Sequence, residues 1–96
     1  MTTYYTLEQV KRANKAIGHH WFEPATLRFF SSRVNDPVIE NMFVSSERFN
    51  SKSPRLYTIR KVNDDGSIDT VGAFQAYKSK TAALTAIFRM VNGDKP

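Results

Sequence analysis

Residues 55–77 read RLYTIRKVNDDGSIDTVGAFQAY, two runs rich in β-branched and aromatic residues on either side of Asn63-Asp64-Asp65-Gly66. A glycine that tolerates positive φ, placed behind Asn and Asp, is a strong hairpin signal. Residues 55–62 and 67–77 are therefore expected to be antiparallel neighbours. Upstream, 41–49 (NMFVSSERF) reads as another strand, set off by the polar loop 50–54. The run 25–34 (ATLRFFSSRV) reads as a fourth, ended by Asn35-Asp36-Pro37.

Helical spacing flanks this block on both sides. Thr6 with Gln9 forms a capping-box pattern; Leu7, Val10, Asn14 and Ile17 follow at helical intervals, and Gly18 supplies a stop. At the other end Ser79 is an N-cap for a helix over about 80–92. Its apolar face is Ala83, Leu84, Ile87, Phe88 and Val91, and Asn92-Gly93 ends it. The fold expected is α+β in the order αββββα, one domain over 1–96. Its simplest arrangement is a four-stranded antiparallel sheet with both helices packed on one face. Trp21, Phe22, Phe29, Phe74, Leu84, Ile87 and Phe88 are its expected core. Asn14 falls on the apolar stripe of the first helix, where its amide needs partners; it is expected to tie that helix to loop 18–24.

Composition narrows the classes of function. The 96 residues include no Cys, so there is neither a disulfide framework nor thiolate chemistry, and a reducing cytoplasm is expected. Apolar runs stop far short of the roughly 20 residues that span a bilayer, and the first residues lack a signal-peptide pattern. Fourteen Lys and Arg against nine Asp and Glu give a net charge of +5, with a pI near 9.8. That balance favours polyanionic partners.

No catalytic constellation assembles. Ser31, Ser32, Ser45 and Ser46 have no nucleophile-elbow context, the four glycines form no phosphate loop, and a turn accounts for Asp64 and Asp65. His19-His20 with Glu23 invites a metal reading, but neighbouring side chains on extended backbone diverge and no third His or Cys exists. The expectation is a protein that is not an enzyme and uses neither metal nor cofactor, with Trp21 and Phe22 plugging the core.

The cations carry more information. Between Arg48 and Lys61 lie five (Arg48, Lys52, Arg55, Arg60, Lys61) and no acid, with Arg28 and Arg33 on the predicted first strand. Lys78 and Lys80 stand at the entrance to the last helix. Cations interleaved with rings are what phosphate neutralisation and base stacking require. Arg28, Arg33, Arg48, Arg55, Arg60 and Lys61 are the candidate phosphate contacts, with Tyr57 or Phe30 as stacking platforms.

Several blocks resemble a family of small uncharacterised proteins of bacteria, plasmids and bacteriophages: Lys11-Arg12-Ala13-Asn14 through Gly18, His20-Trp21-Phe22, Leu27-Arg28-Phe29-Phe30, Ser32-Arg33, Phe43-Val44-Ser45-Ser46, residues 55–60 and residues 68–75. The resemblance spans nearly the whole chain and implies a mobile-element accessory protein. Residues 55–88 are also similar, more weakly, to the sheet-plus-helix of phage integrase arm-binding domains, which place the sheet in the DNA major groove. The function expected is non-enzymatic binding of nucleic acid or of a nucleic-acid-handling complex in the host bacterial cytoplasm, without a membrane. The alternatives are an inhibitor of a host defence system, anti-CRISPR-like, that docks on a host protein or nucleoprotein, and a structural or oligomeric accessory factor.

Overall fold

The computed structural model describes residues 3–28, 32–48 and 52–93, save the side chains of 35–37. The elements in order are α1 (Leu7–Ala16), α2 (Pro24–Arg28), β1 (Arg33–Ile39), β2 (Met42–Glu47), β3 (Leu56–Val62), β4 (Ile68–Val71) and α3 (Lys80–Val91). The four strands form one antiparallel meander in sequence order, so the class is α+β as expected.

Both long helices begin where their caps predict. Thr6 Oγ1 accepts the Gln9 N–H at 3.3 Å while Gln9 Oε1 accepts the Thr6 N–H at 3.1 Å. Ser79 Oγ accepts the Ala82 N–H at 3.0 Å. Gly18, at φ 80°, turns the chain out of α1. The end of the β3–β4 hairpin is also as expected, with Gly66 at φ 97°.

Two expectations fail at the first strand. Residues 24–28 are helical, because Pro24 supplies a pre-set φ at the first position and the Leu27 N–H closes onto Glu23 O at 3.0 Å. The strand instead begins at Arg33 and runs through Asn35-Asp36-Pro37. Between the Asn35–Val44 and Ile39–Met42 pairs β1 uses two more residues than β2, so the proline is absorbed by an irregularity on an edge strand. The reversal comes later, at Glu40 and Asn41, whose φ values of 51° and 63° meet the demand of a two-residue hairpin turn. Asn41 Oδ1 there accepts the Tyr4 N–H at 2.7 Å. Phe29 and Phe30 lie outside the described residues.

The strand expected over 67–77 is broken. Gly72 at φ 76° and Gln75 at φ 57° lead the chain away after Val71. It returns at Tyr77, which exchanges backbone hydrogen bonds with Tyr57 at 2.8 and 3.0 Å.

The helices take opposite faces of the sheet rather than one. Leu7 and Val10 of α1, with Tyr4, close on Phe43, Val62 and Val38, and Trp21, Phe22 and Ile68 pack around them. Ala83 and Ile87 of α3 close on Val44 and Ile59, the alternate residues of the same strands. The cause lies in β2, where Phe43 through Glu47 are all buried. A strand without polar alternation needs cover on both sides. Trp21 and Phe22 form the expected plug, their rings each 6.0 Å from that of Phe43. Phe74 and Phe88 do not join the core; they are 48 % and 50 % exposed.

Asn14 fulfils its expectation and extends it. Its Oδ1 accepts the Trp21 N–H at 3.2 Å, and its Nδ2 donates to Gly66 O at 3.0 Å, joining α1 to the distant hairpin. Asn14→Ala leaves a backbone N–H and a carbonyl without these partners, and is expected to cost about 2–3 kcal/mol. Urea denaturation checks this; a loss under about 0.5 kcal/mol would show that water replaces the amide.

Candidate anion-binding cleft

One cross-strand row organises the site. Arg33 on β1 pairs with Ser46 on β2, Ser46 with Tyr57 on β3, and Tyr57 with Tyr77. Directly opposed residues point to the same face, here the face that α3 covers. Two residues after Tyr77 comes the Ser79 cap, which delivers Lys80 to the end of this row. Arg55 shares the face by strand parity with Tyr57, and its Nη1 donates to both Ser46 O and Ser46 Oγ at 3.1 Å. The result is a cleft of about 170 Å³ lined by Arg33, Val44, Ser46, Arg55, Tyr57 and Lys80. Three of these side chains are cationic and none is acidic.

The electrostatics record this crowding. Burial lowers the pKa of the Arg55 guanidinium, and the fields of Arg33 and Arg48 lower it further, against weaker support from Tyr57 and Glu47. Arg48 therefore belongs to the same positive field, and its Nε is shut from solvent with no hydrogen-bond partner among the described residues. The N-terminal end of α3 adds partial positive charge beside Lys80. Chemically the cleft is equipped to hold an anion with several oxygens, with a phenol ring alongside.

Of the seven residues singled out in the sequence, Arg33, Arg48, Arg55 and Tyr57 come together. The others do not. Arg28 is exposed in the last turn of α2. Lys61 is exposed near the far end of β3, opposite Met42 and Asp69.

Arg60 is on the other face and half-buried. Its Nε donates to Ser45 Oγ at 3.0 Å, its Nη1 donates to Thr70 Oγ1, and its Nη2 lies 3.8 Å from Glu47 Oε1. Burial lowers its pKa, and Glu47 opposes the shift. Arg60 thus balances a buried carboxylate. Lys80 is the residue missing from the sequence-based set; its position becomes legible only once Tyr77 is known to pair with Tyr57.

The two histidines are exposed, and His20 Nδ1 lies 3.7 Å from Glu23 Oε1. Among the described residues no three potential metal ligands cluster, and no helix is long and apolar enough to cross a membrane.

No curated protein and no solved structure matches the chain. One family model does, over residues 6–87. That span opens on the capping Thr6 and closes on Ile87, the last buried residue of α3, so it takes in the whole sheet and both helix contacts that cover it. The chain belongs to this family, a family of unknown function, DUF7447.

Proposed function

We propose that the protein is a non-enzymatic binding protein, an accessory factor of a mobile element, that holds the phosphate backbone of a nucleic acid in the Arg33–Arg55–Lys80 cleft. The observation that supports this reading is the convergence of three cations on one cleft beside Tyr57 that no acid lines among the described residues. Phosphate oxygens accept from guanidinium forks in pairs, and arginine is the residue suited to that recognition. Arg48 extends the positive field along the sheet end, so more than one phosphate is accommodated.

Fluorescence anisotropy with labelled single- and double-stranded oligonucleotides tests the reading. Binding is expected at low salt and should weaken as salt rises, with a log–log slope of roughly 2–4 for three or four phosphate contacts. Absence of binding to every oligonucleotide at low salt would refute it and leave the alternative of a host-directed inhibitor, with an acidic surface of a host protein as the partner to pursue.

A further inference from the structure

A second cleft, of about 530 Å³, backs onto the first across the sheet. Sequence neighbours serve one cleft each: Arg33 and Ser46 line the basic one, Ser32 and Glu47 the other. Its walls are Trp21 and Phe74, and Arg60 and Glu47 lie beneath them. The volume is in the range of small-molecule sites, which combine apolar walls with a few placed polar groups.

The polar floor is specific. Glu47 is only 1 % exposed. Its Oε1 accepts from Thr58 Oγ1 at 2.9 Å and faces Arg60, while its Oε2 is closed to solvent and has no hydrogen-bond partner among the described residues. A buried carboxylate oxygen without a donor is a rare arrangement that calls for one. Phe74 leaves the core because Gly72 and Gln75 carry 72–76 out of β4, and Gln75 pins that excursion by donating its N–H to Thr58 Oγ1 at 2.8 Å.

Charge and shape restrict the occupant. Aromatic walls over a carboxylate suit a cation, but Arg60 already holds that seat, its guanidinium carbon 5.3 Å from the centroids of both Trp21 and Phe74. Glu47 and Arg60 cancel one another, so the floor favours neither anion nor cation. What remains complementary is a neutral planar ring that stacks on the walls and offers an N–H to the carboxylate and an acceptor to the guanidinium. We infer that this cleft is a binding site for one nucleobase, stacked against Trp21 and Phe74, whose N–H reaches the Glu47 carboxylate once the base has parted the side chains that close Oε2 from solvent. The inference stands apart from the phosphate reading of the basic cleft, because a base without phosphate suffices to test it.

Trp21 is the only tryptophan in the chain and forms a wall of the cleft, so its fluorescence reports occupancy. The four ribonucleosides are titrated into the protein, followed by their monophosphates and a short single-stranded oligonucleotide with and without one abasic position. Saturable quenching by at least one nucleoside is expected. It should weaken about tenfold in Phe74→Ala, which removes a half-exposed wall without touching the core, and likewise in Glu47→Gln. Arg33→Gln with Arg55→Gln should leave nucleoside quenching unchanged, so the two clefts fail or succeed separately. Tighter quenching by the intact oligonucleotide than by its abasic form identifies the base of a strand as the source; equal or tighter quenching by the free nucleoside or monophosphate identifies a soluble ligand. Unchanged fluorescence with all these probes, or quenching indifferent to both Phe74→Ala and Glu47→Gln, overturns the inference.

Discussion

Gly66→Ala is expected to cost roughly 3–5 kcal/mol, the sum of a strained backbone and an overpacked contact. Gly66 holds φ at 97°, where a side chain is strained whatever space surrounds it. Here there is no space either. A Cβ at this position would lie 2.6 Å from the carbonyl carbon and oxygen of Ala13 and 3.0 Å from the Ala13 Cβ. Those atoms belong to α1 and cannot swing aside like the end of a flexible side chain. The hairpin would have to lift, taking with it the carbonyl that accepts from Asn14. For a domain of this length the loss is a large share of total stability, a fall in Tm on the order of 15 °C or more. A thermal melt within about two degrees of wild type would show that the hairpin does not seat on α1 as described.

The second large effect separates two neighbours. Ile87 is fully buried between α3 and the sheet, against Val44 and Ile59, whereas Phe88 is half-exposed. Ile87→Ala is expected to cost about 2–5 kcal/mol through lost burial and a residual cavity, and Phe88→Ala under about 1 kcal/mol. Spacing alone places both on one apolar face, and a reading from spacing would rank the larger phenylalanine first. Urea denaturation of the two variants decides the matter. Equal losses would mean that α3 is rotated about its axis from the position given.

Legibility in the sequence followed how local the determining physics is. Helix starts were legible because a cap is made by residues three apart, as at Thr6 and Ser79. The β3–β4 hairpin was legible because Gly66 and its Asn-Asp neighbours act locally. The first strand was not. Composition cannot distinguish a short helix opened by Pro24 from an aromatic-rich strand, and the reversal at Glu40-Asn41 lacks the usual glycine. Cover on both faces of the sheet was foreshadowed by β2, whose Phe43, Val44, Ser45 and Ser46 offer no clean alternation.

The same physics sorts the cations. Strand parity alone separates Arg55 from Arg60, since an odd interval sends side chains to opposite faces. Lys61 keeps the face of Arg55 but lies six residues further on, roughly 20 Å along a strand. Lys80 reaches the site through the return of Tyr77 to β3, a long-range pairing that no local pattern announces.

The most direct test of the phosphate reading is the salt dependence of oligonucleotide binding in three proteins: the wild type, Arg33→Gln/Arg55→Gln/Lys80→Gln, and Arg28→Gln/Lys61→Gln. The triple and the double variant remove only exposed or half-exposed cations, so the fold should persist in both. Every cation that neutralises a phosphate releases a counterion, so the triple variant should lose roughly two to three units of slope and most of its low-salt affinity. The Arg28/Lys61 variant should keep the wild-type slope to within about half a unit. A triple variant that binds like wild type, or a control that loses as much as the triple, would contradict the placement of the phosphate backbone in the Arg33–Arg55–Lys80 cleft.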